Sequence, residues 1–211
     1  MSSEGRKDAL AAQAVFVVDD DDAMRESLEF LLESVGIEAR SFESALEFLE
    51  FYRPEMGGCL LLDVRIPGMG GLELQEKLRE RGCRIPVIIM TAYADVPMAV
   101  RAMRAGAVDF IEKPFNDQQL LDRVHQALEH EIRIRREQQE KAPLRSRFEQ
   151  LTPREREILE LVVEGHLNKQ IASQLGLSIK TVEQHRARVM AKTGSGSLAE
   201  LVRMAIAVGV I

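Results

Sequence analysis

The chain has 211 residues, 45% of them hydrophobic, enough for one large or two modest domains, and no apolar run approaches the ~20 residues that cross a bilayer. Its two cysteines, Cys59 in an apolar run and Cys83 in a polar turn, stand in no CxxC or Cys/His spacing, so neither a disulfide framework nor a zinc site is expected. The net charge of −6 conceals an asymmetry: residues 1–142 carry 18 Lys/Arg against 27 Asp/Glu, while residues 143–211 carry 10 against 7, which points to a polyanionic partner for the rear.

The opening MSSEGRKDALAAQ holds no apolar core of signal-peptide length, so no export signal, no membrane and a cytoplasmic location are expected. Residues 14–18 (AVFVV) predict a buried strand that ends in four acids, Asp19 to Asp22. Met24, Leu28, Leu31, Leu32 and Val35 then recur with helical spacing, and Gly36 closes that helix. The same unit repeats: a strand over 37–42 with a helix over 44–51, 59–62 with 72–81, 87–90 with 96–105, and 108–111 with a helix from 118 onward. Five strands alternating with five helices imply right-handed crossovers and an α/β fold, a doubly wound five-stranded parallel sheet.

In such a sheet the strand ends share one edge, and open α/β sheets bind ligands there. The first strand delivers Asp19 and Asp20, the third Asp63, the fourth Thr91 and the fifth Lys113. Asp63 closes the run GCLLLD, and Pro67 with the glycines at 68, 70 and 71 opens a turn beside it. Carboxylates crowded together repel unless a cation sits among them, so Asp19, Asp20 and Asp63 read as an all-oxygen cup for Mg²⁺. A hydroxyl at Thr91 and an ammonium at Lys113 add what phosphoryl oxygens need, and the group fits phosphoryl transfer onto Asp63. Asp21 and Asp22 read instead as a helix cap and a first-turn acid.

The segments VVDDD at 17–21, LLDVRIPGM at 61–69 and MTAYADVPMAVRAMRAGAVDFIEKPF at 90–115 resemble the receiver domain of bacterial two-component response regulators, over residues 13–130. The resemblance implies that Asp63 is the phosphoacceptor. It further implies that Asp20 binds Mg²⁺ directly and Asp19 chiefly through water, with the Arg65 main-chain carbonyl as a further ligand. Thr91 and Lys113 would contact the phosphoryl oxygens, Phe110 would be the switch aromatic that turns inward as Thr91 is drawn in, and Lys113-Pro114 would be cis. The donor would be a sensor histidine kinase.

Apolar spacing at Leu120, Leu121, Val124, Leu128 and Ile132 fades into EIRIRREQQEKAPLRSRFEQ, which predicts a charged helical linker over 131–148, broken near Pro143. The rear domain, 149–211, opens on a capping box at Thr152 and Glu155 with Pro153 at the first helical position. Helices follow over 168–175 and 179–192, joined by the tight turn Gly176-Leu177-Ser178, and Ser197 with Glu200 predicts a second capping box for a last helix. Two short helices around a Gly-containing turn predict an all-α helix-turn-helix domain whose second member enters the major groove of double-stranded DNA.

LTPREREILELVVEGHLNKQIASQLGLSIKTVEQHRARVMAK resembles the LuxR-type four-helix DNA-binding domain, and a receiver joined to it resembles the NarL/FixJ family, in its FixJ-like branch. The resemblance places Glu183, Gln184 and Ala187 towards bases, and Lys169, Lys180, Thr181, His185, Arg186, Arg188 and Lys192 towards phosphates. Glu183 stands where many relatives carry Lys, so a different sequence preference follows. Thr193-Gly194-Ser195 replaces the usual Leu-x-Val, which is expected to loosen the turn before the last helix.

The expected function is a DNA-binding transcription regulator that dimerises when Asp63 is phosphorylated, with no enzymatic activity beyond its own phosphoryl transfer and dephosphorylation. One alternative is a DNA-binding protein that uses the receiver only as a dimerisation scaffold. The other is an aspartyl-phosphate phosphatase, but such enzymes want a second Asp two residues after the first, where Arg65 stands.

Overall fold

The computed structural model describes residues 13–93 and 95–210, so the export-signal reading of residues 1–12 lies outside the described residues. The described residues form two compact units that divide between Arg135 and Arg136. No helix among the described residues is long and apolar enough to cross a membrane.

The first unit alternates β1 (Ala14–Val18), α1 (Asp22–Ser34), β2 (Glu38–Phe42), α2 (Ala45–Phe51), β3 (Gly58–Asp63), α3 (Gly71–Glu80), β4 (Val87–Thr91), α4 (Val96–Arg104) and β5 (Asp109–Glu112), then enters α5 (Asp117–Glu149). All strand pairs are parallel, in the order β2-β1-β3-β4-β5. This is the doubly wound sheet that the alternation predicts. Alternate strand residues feed two cores, because successive side chains point to opposite faces. Phe16, Val18, Leu60, Leu62 and Ile89 pack with α2 and α3, whereas Val15, Val17, Leu61, Ile88 and Met90 pack with α1 and α5. Asp21 caps α1 by accepting hydrogen bonds from the Ala23 and Met24 amides at 2.9 and 3.3 Å, and Asp22 lies in its first turn, as expected.

Gly58 begins β3 with φ +128°, and a Cβ there would overlap the Ala14 carbonyl oxygen of the neighbouring strand. Gly58→Ala is therefore expected to destabilise the first unit by about 3 kcal/mol or more, combining roughly 1–3 kcal/mol of backbone strain with a similar overpacking cost. Urea unfolding checks this, with a shifted transition for the first unit and an unchanged one for the second.

The expected break at Pro143 is absent: α5 runs unbroken from Asp117 to Glu149 with Pro143 inside it. Burial at both ends of the stretch accounts for the difference. Glu131 is buried in the first unit, paired with Gln13 and with Arg135 at 2.8 Å, whereas Leu144 and Phe148 pack into the second unit's core. Those anchors outweigh the lost amide donor and the ring clash that proline brings to a helix.

The second unit holds α6 (Pro153–Val163), α7 (Asn168–Leu175), α8 (Ile179–Thr193) and α9 (Leu198–Val208). Thr152 and Glu155 complete the predicted capping box, at 3.3 and 2.9 Å. Gly176 ends α7 in the left-handed region and Ser178 caps α8, which gives the predicted helix-turn-helix. Two clusters make its core, one of Phe148, Leu159, Val189, Leu201 and Ala205, the other of Ile158, Val162, Ile171 and Val182.

The turn before α9 is not loosened. Thr193 is buried and its hydroxyl donates to the Val189 carbonyl at 2.8 Å and shares a hydrogen bond with Ser195 Oγ at 2.9 Å, while the Ser195 amide returns to the Met190 carbonyl at 3.1 Å. A polar staple thus takes the place of apolar contacts. Thr193→Val should cost about 1 kcal/mol in thermal unfolding, because it removes the hydroxyl's bonds to the Val189 carbonyl and to Ser195, whose own hydroxyl keeps its bond to Met190 Sδ. The predicted box at α9 is half formed: Ser197 accepts from the Glu200 amide at 3.2 Å, but the Glu200 carboxylate reaches the Gly196 amide at 2.7 Å.

Candidate functional site

Strand register assembles the site. Val18 lies level with Leu62, so Asp19 and Asp63 leave adjacent strands side by side; Asp63 lies level with Met90, one residue before Thr91; and Thr91 lies level with Glu112, one residue before Lys113. The sheet edge thereby brings together Asp19, Asp63, Thr91 and Lys113 from four strands. Asp19 is 1% exposed and Asp63 6%, far below what is usual for carboxylates, and Thr91 beside them is 1% exposed.

The buried acids are held by short bonds. Lys113 Nζ donates to Asp19 Oδ2 at 2.5 Å and to Asp63 Oδ1 at 2.9 Å. Asp63 Oδ2 accepts the Arg65 amide at 2.7 Å, and Asp19 Oδ1 accepts the Asp21 amide at 3.0 Å. Burial alone would lower the Lys113 pKa, but the hydrogen bonds and charges of Asp19 and Asp63 outweigh it and hold the ammonium above the ordinary lysine range. The Lys113 amide donates to the Thr91 carbonyl at 2.7 Å, and the Lys113-Pro114 bond is cis. Thr91 Oγ1 accepts the Tyr93 amide at 3.3 Å.

Sequence reasoning pictured a cup of three acids. The structure offers a pair of buried carboxylates bridged by an ammonium, with Asp20 exposed beside them, and among the described residues no three acids or other ligating side chains are grouped so as to hold a metal. The difference is electrostatic, since Lys113 already supplies the positive charge that two neighbouring carboxylates require. The donors of Asp19, Asp20, Asp63 and the Arg65 carbonyl are nonetheless all oxygen, the set that Mg²⁺ prefers.

One feature escaped sequence reasoning. The Arg65 guanidinium stacks on the Tyr93 ring, 4.2 Å from its centroid, which ties together the loops that follow β3 and β4. No spacing in the sequence announces that pair. Phe110, on β5, is half-buried against the core shared by α2, α3 and α4.

In the second unit Lys180, Glu183, Gln184, Ala187 and Arg188 form an exposed stripe along α8, while Val182 and Val189 face the core. The exposed Lys169 stands at the start of α7. Thr181 and His185 are half-buried, and Thr181 Oγ1 shares a hydrogen bond with the capping Ser178 at 2.8 Å. Arg186 donates to Asn168 Oδ1 at 2.6 Å, which braces α8 against the start of α7. Lys192, expected among the phosphate contacts, has partners within its own unit. Its ammonium donates to the buried Glu155 carboxylate at 2.6 Å and to the Gln150 carbonyl at 3.1 Å, which ties the end of α8 to the start of α6.

Comparison with known proteins covers both units. Residues 15–125 match the response regulator receiver domain, and residues 149–205 match the LuxR family of bacterial regulatory proteins. Nodulation protein W of Bradyrhizobium diazoefficiens is 47% identical over 206 residues, 98% of this chain and 91% of that protein. The transcriptional regulatory protein FixJ of Azorhizobium caulinodans is 47% identical over 196 residues, 93% of each chain. The solved structure of the response regulator StyR aligns with a TM-score of 0.71 at 46% identity, over 92% of this chain and 98% of that one.

Proposed function

Because the chain belongs to the two-component response regulators that join a receiver to a LuxR-type DNA-binding domain, we propose that Asp63 accepts a phosphoryl group from a sensor histidine kinase and that the adduct switches DNA binding. The observation that carries this reading is Lys113 bridging Asp19 and Asp63 at a buried sheet edge with Thr91 on the adjoining strand end. In the transfer the histidine N–P bond breaks, an O–P bond forms at an Asp63 carboxylate oxygen, and the leaving imidazole keeps the electron pair and takes up a proton. Lys113 and the Thr91 hydroxyl bind the phosphoryl oxygens. Water returns Asp63 to the free carboxylate by the protein's own slow dephosphorylation.

Asp19, Asp20, Asp63 and the Arg65 carbonyl would hold Mg²⁺, with Asp20 closing in from the rim. When bound, Mg²⁺ supplies positive charge for the oxygens of the transferring group. A phosphoryl group adds about −1.5 to −2 charge and strong acceptor oxygens, which favours drawing Thr91 inwards, and Phe110 fills the space it leaves.

The output is a homodimer in the cytoplasm acting on double-stranded DNA. Glu183, Gln184 and Ala187 approach base edges, while Lys169, Lys180, Thr181, His185, Arg186 and Arg188 approach phosphates. The exposed stripe on α8 supports this assignment. Such contacts make affinity fall steeply with salt, by about one unit in the log–log slope for each phosphate neutralised. The direct test incubates the protein with a small phosphodonor and Mg²⁺ and weighs it: a phosphoryl-sized adduct on the wild type and none on Asp63→Asn is expected, whereas an equal adduct on both removes Asp63 from the role.

A further inference from the structure

Helix α4 follows β4, the strand that ends at Thr91, and is lightly held. Ala102 is its one buried residue, while Val96 is 76% exposed and Met103 50%. At that same residue a side chain from α3 reaches across: Gln75 Nε2 donates to the Ala102 carbonyl at 3.1 Å, beside the Ala107 amide, which donates to the same oxygen at 3.0 Å. Gln75 is only 2% exposed, next to Leu74 and Leu78 of the apolar core, and its Oε1 is buried without a hydrogen-bond partner among the described residues.

A buried amide with one end unsatisfied costs stability that leucine or methionine would not. What the amide supplies, and an apolar side chain cannot, is a directed bond to one carbonyl. Among the described residues the opposite end of α4 has no comparable tie. Asp95 caps it locally, accepting from the Met98 amide at 2.6 Å, and only four residues separate Val96 from Thr91, the last residue of β4.

We propose that Gln75 pins α4 at Ala102 and makes that point a pivot. Movement of the Thr91 loop then swings the N-terminal end of the helix while its last turn stays fixed to α3. Gln75 is a positioning residue, acting through Ala102, and it sets which part of the α4 surface changes. The phosphoryl-driven half of the inference rests on the proposed role of Asp63; the pin itself does not.

Residue-resolved amide exchange on the full chain tests both halves. In the unmodified protein, Gln75→Met keeps volume and apolar packing but loses the bond, so the Ala105 and Ala107 amides should exchange about fivefold to tenfold faster, the factor one hydrogen bond carries. Those of Ala99, α3 and the sheet should not change. Equal exchange at Ala105 and Ala107 in the two proteins would overturn the pin, and Gln75→Leu repeats the comparison should the methionine variant fold poorly.

With phosphodonor and Mg²⁺, changes in the wild type should concentrate at Asp95–Ala99 and spare Ala102–Ala107, whereas in Gln75→Met they should extend along the whole helix. A phosphoryl adduct with uniform changes along wild-type α4 would overturn the pivot. Absence of any adduct would instead overturn the reading of Asp63, with the pin still decided by the unmodified pair.

Discussion

Replacing Lys113 with methionine is expected to destabilise the first unit by about 3–5 kcal/mol at neutral pH and to uncouple phosphorylation from output. The stability loss follows from the two carboxylates that share its ammonium, because removing one partner of a buried ionic group leaves the others uncompensated. Such a loss is a large share of a typical domain's stability. The linkage has a definite sign. The Lys113 pKa is raised in the fold, so its contribution is fully present below the ordinary lysine value and fades only as pH rises through the raised one. Chemical denaturation at neutral pH therefore measures the whole effect. Millimolar Mg²⁺ should raise the Tm of Lys113→Met more than that of the wild type, since a cation at Asp19 and Asp63 replaces the missing charge. Equal Mg²⁺ shifts in the two proteins would contradict the all-oxygen site.

The second large effect belongs to the other unit. Lys192→Met leaves the Glu155 carboxylate with Thr152 as its remaining partner, and because Lys192 is itself partly exposed a loss of about 1–3 kcal/mol is expected. A unit of this size has only about 4–11 kcal/mol in hand, at roughly 0.05–0.15 kcal/mol per residue, so DNA binding should lose its upper temperature range while the phosphoryl adduct still forms normally. Burial alone would raise the Glu155 pKa, but the hydrogen bonds from Lys192 and Thr152 outweigh it and hold the carboxyl below the ordinary glutamate range. A depressed carboxylate pKa stabilises above the unfolded value and ceases to do so as pH falls through the folded one. The difference between wild type and Lys192→Met should accordingly shrink as the solution is acidified below the ordinary glutamate pKa. Thermal unfolding of the second unit across that range checks it, and a constant difference would show that the pair is not what Lys192 contributes.

Much of this molecule is legible in its sequence because its signals are local. Apolar runs of four to six residues, each stopped by a turn, mark β1, β3 and β4, and parallel register then forces Asp19, Asp63, Thr91 and Lys113 onto one edge. Capping residues such as Asp21, Thr152 and Ser178 name helix starts directly. What the sequence hides depends on contacts between distant residues. Pro143 carries the signal of a helix break, and the burial of Glu131 on one side and of Leu144 and Phe148 on the other reverses it. Lys192 looks like the other cations of α8, and its partner Glu155 stands 37 residues away. Thr193 and Ser195 look like poor substitutes for apolar residues until their hydroxyls are seen to bond each other and the end of α8. The Lys113 bridge is hidden for a similar reason. Counting acids at strand ends is straightforward, but Lys113 neutralising two of them in place needs coordinates.

Chemistry at Asp63 is expected to govern DNA binding by the second unit. The most direct measurement is the oligomeric state and affinity for a two-fold DNA site, at fixed salt, of wild type and Asp63→Asn, each with and without a small phosphodonor and Mg²⁺. A phosphodonor-dependent dimer and at least about a tenfold gain in affinity, equivalent to about 1.4 kcal/mol, are expected in the wild type and absent in the variant. Identical dimerisation and affinity in all four samples would contradict the switch and leave the receiver as a scaffold.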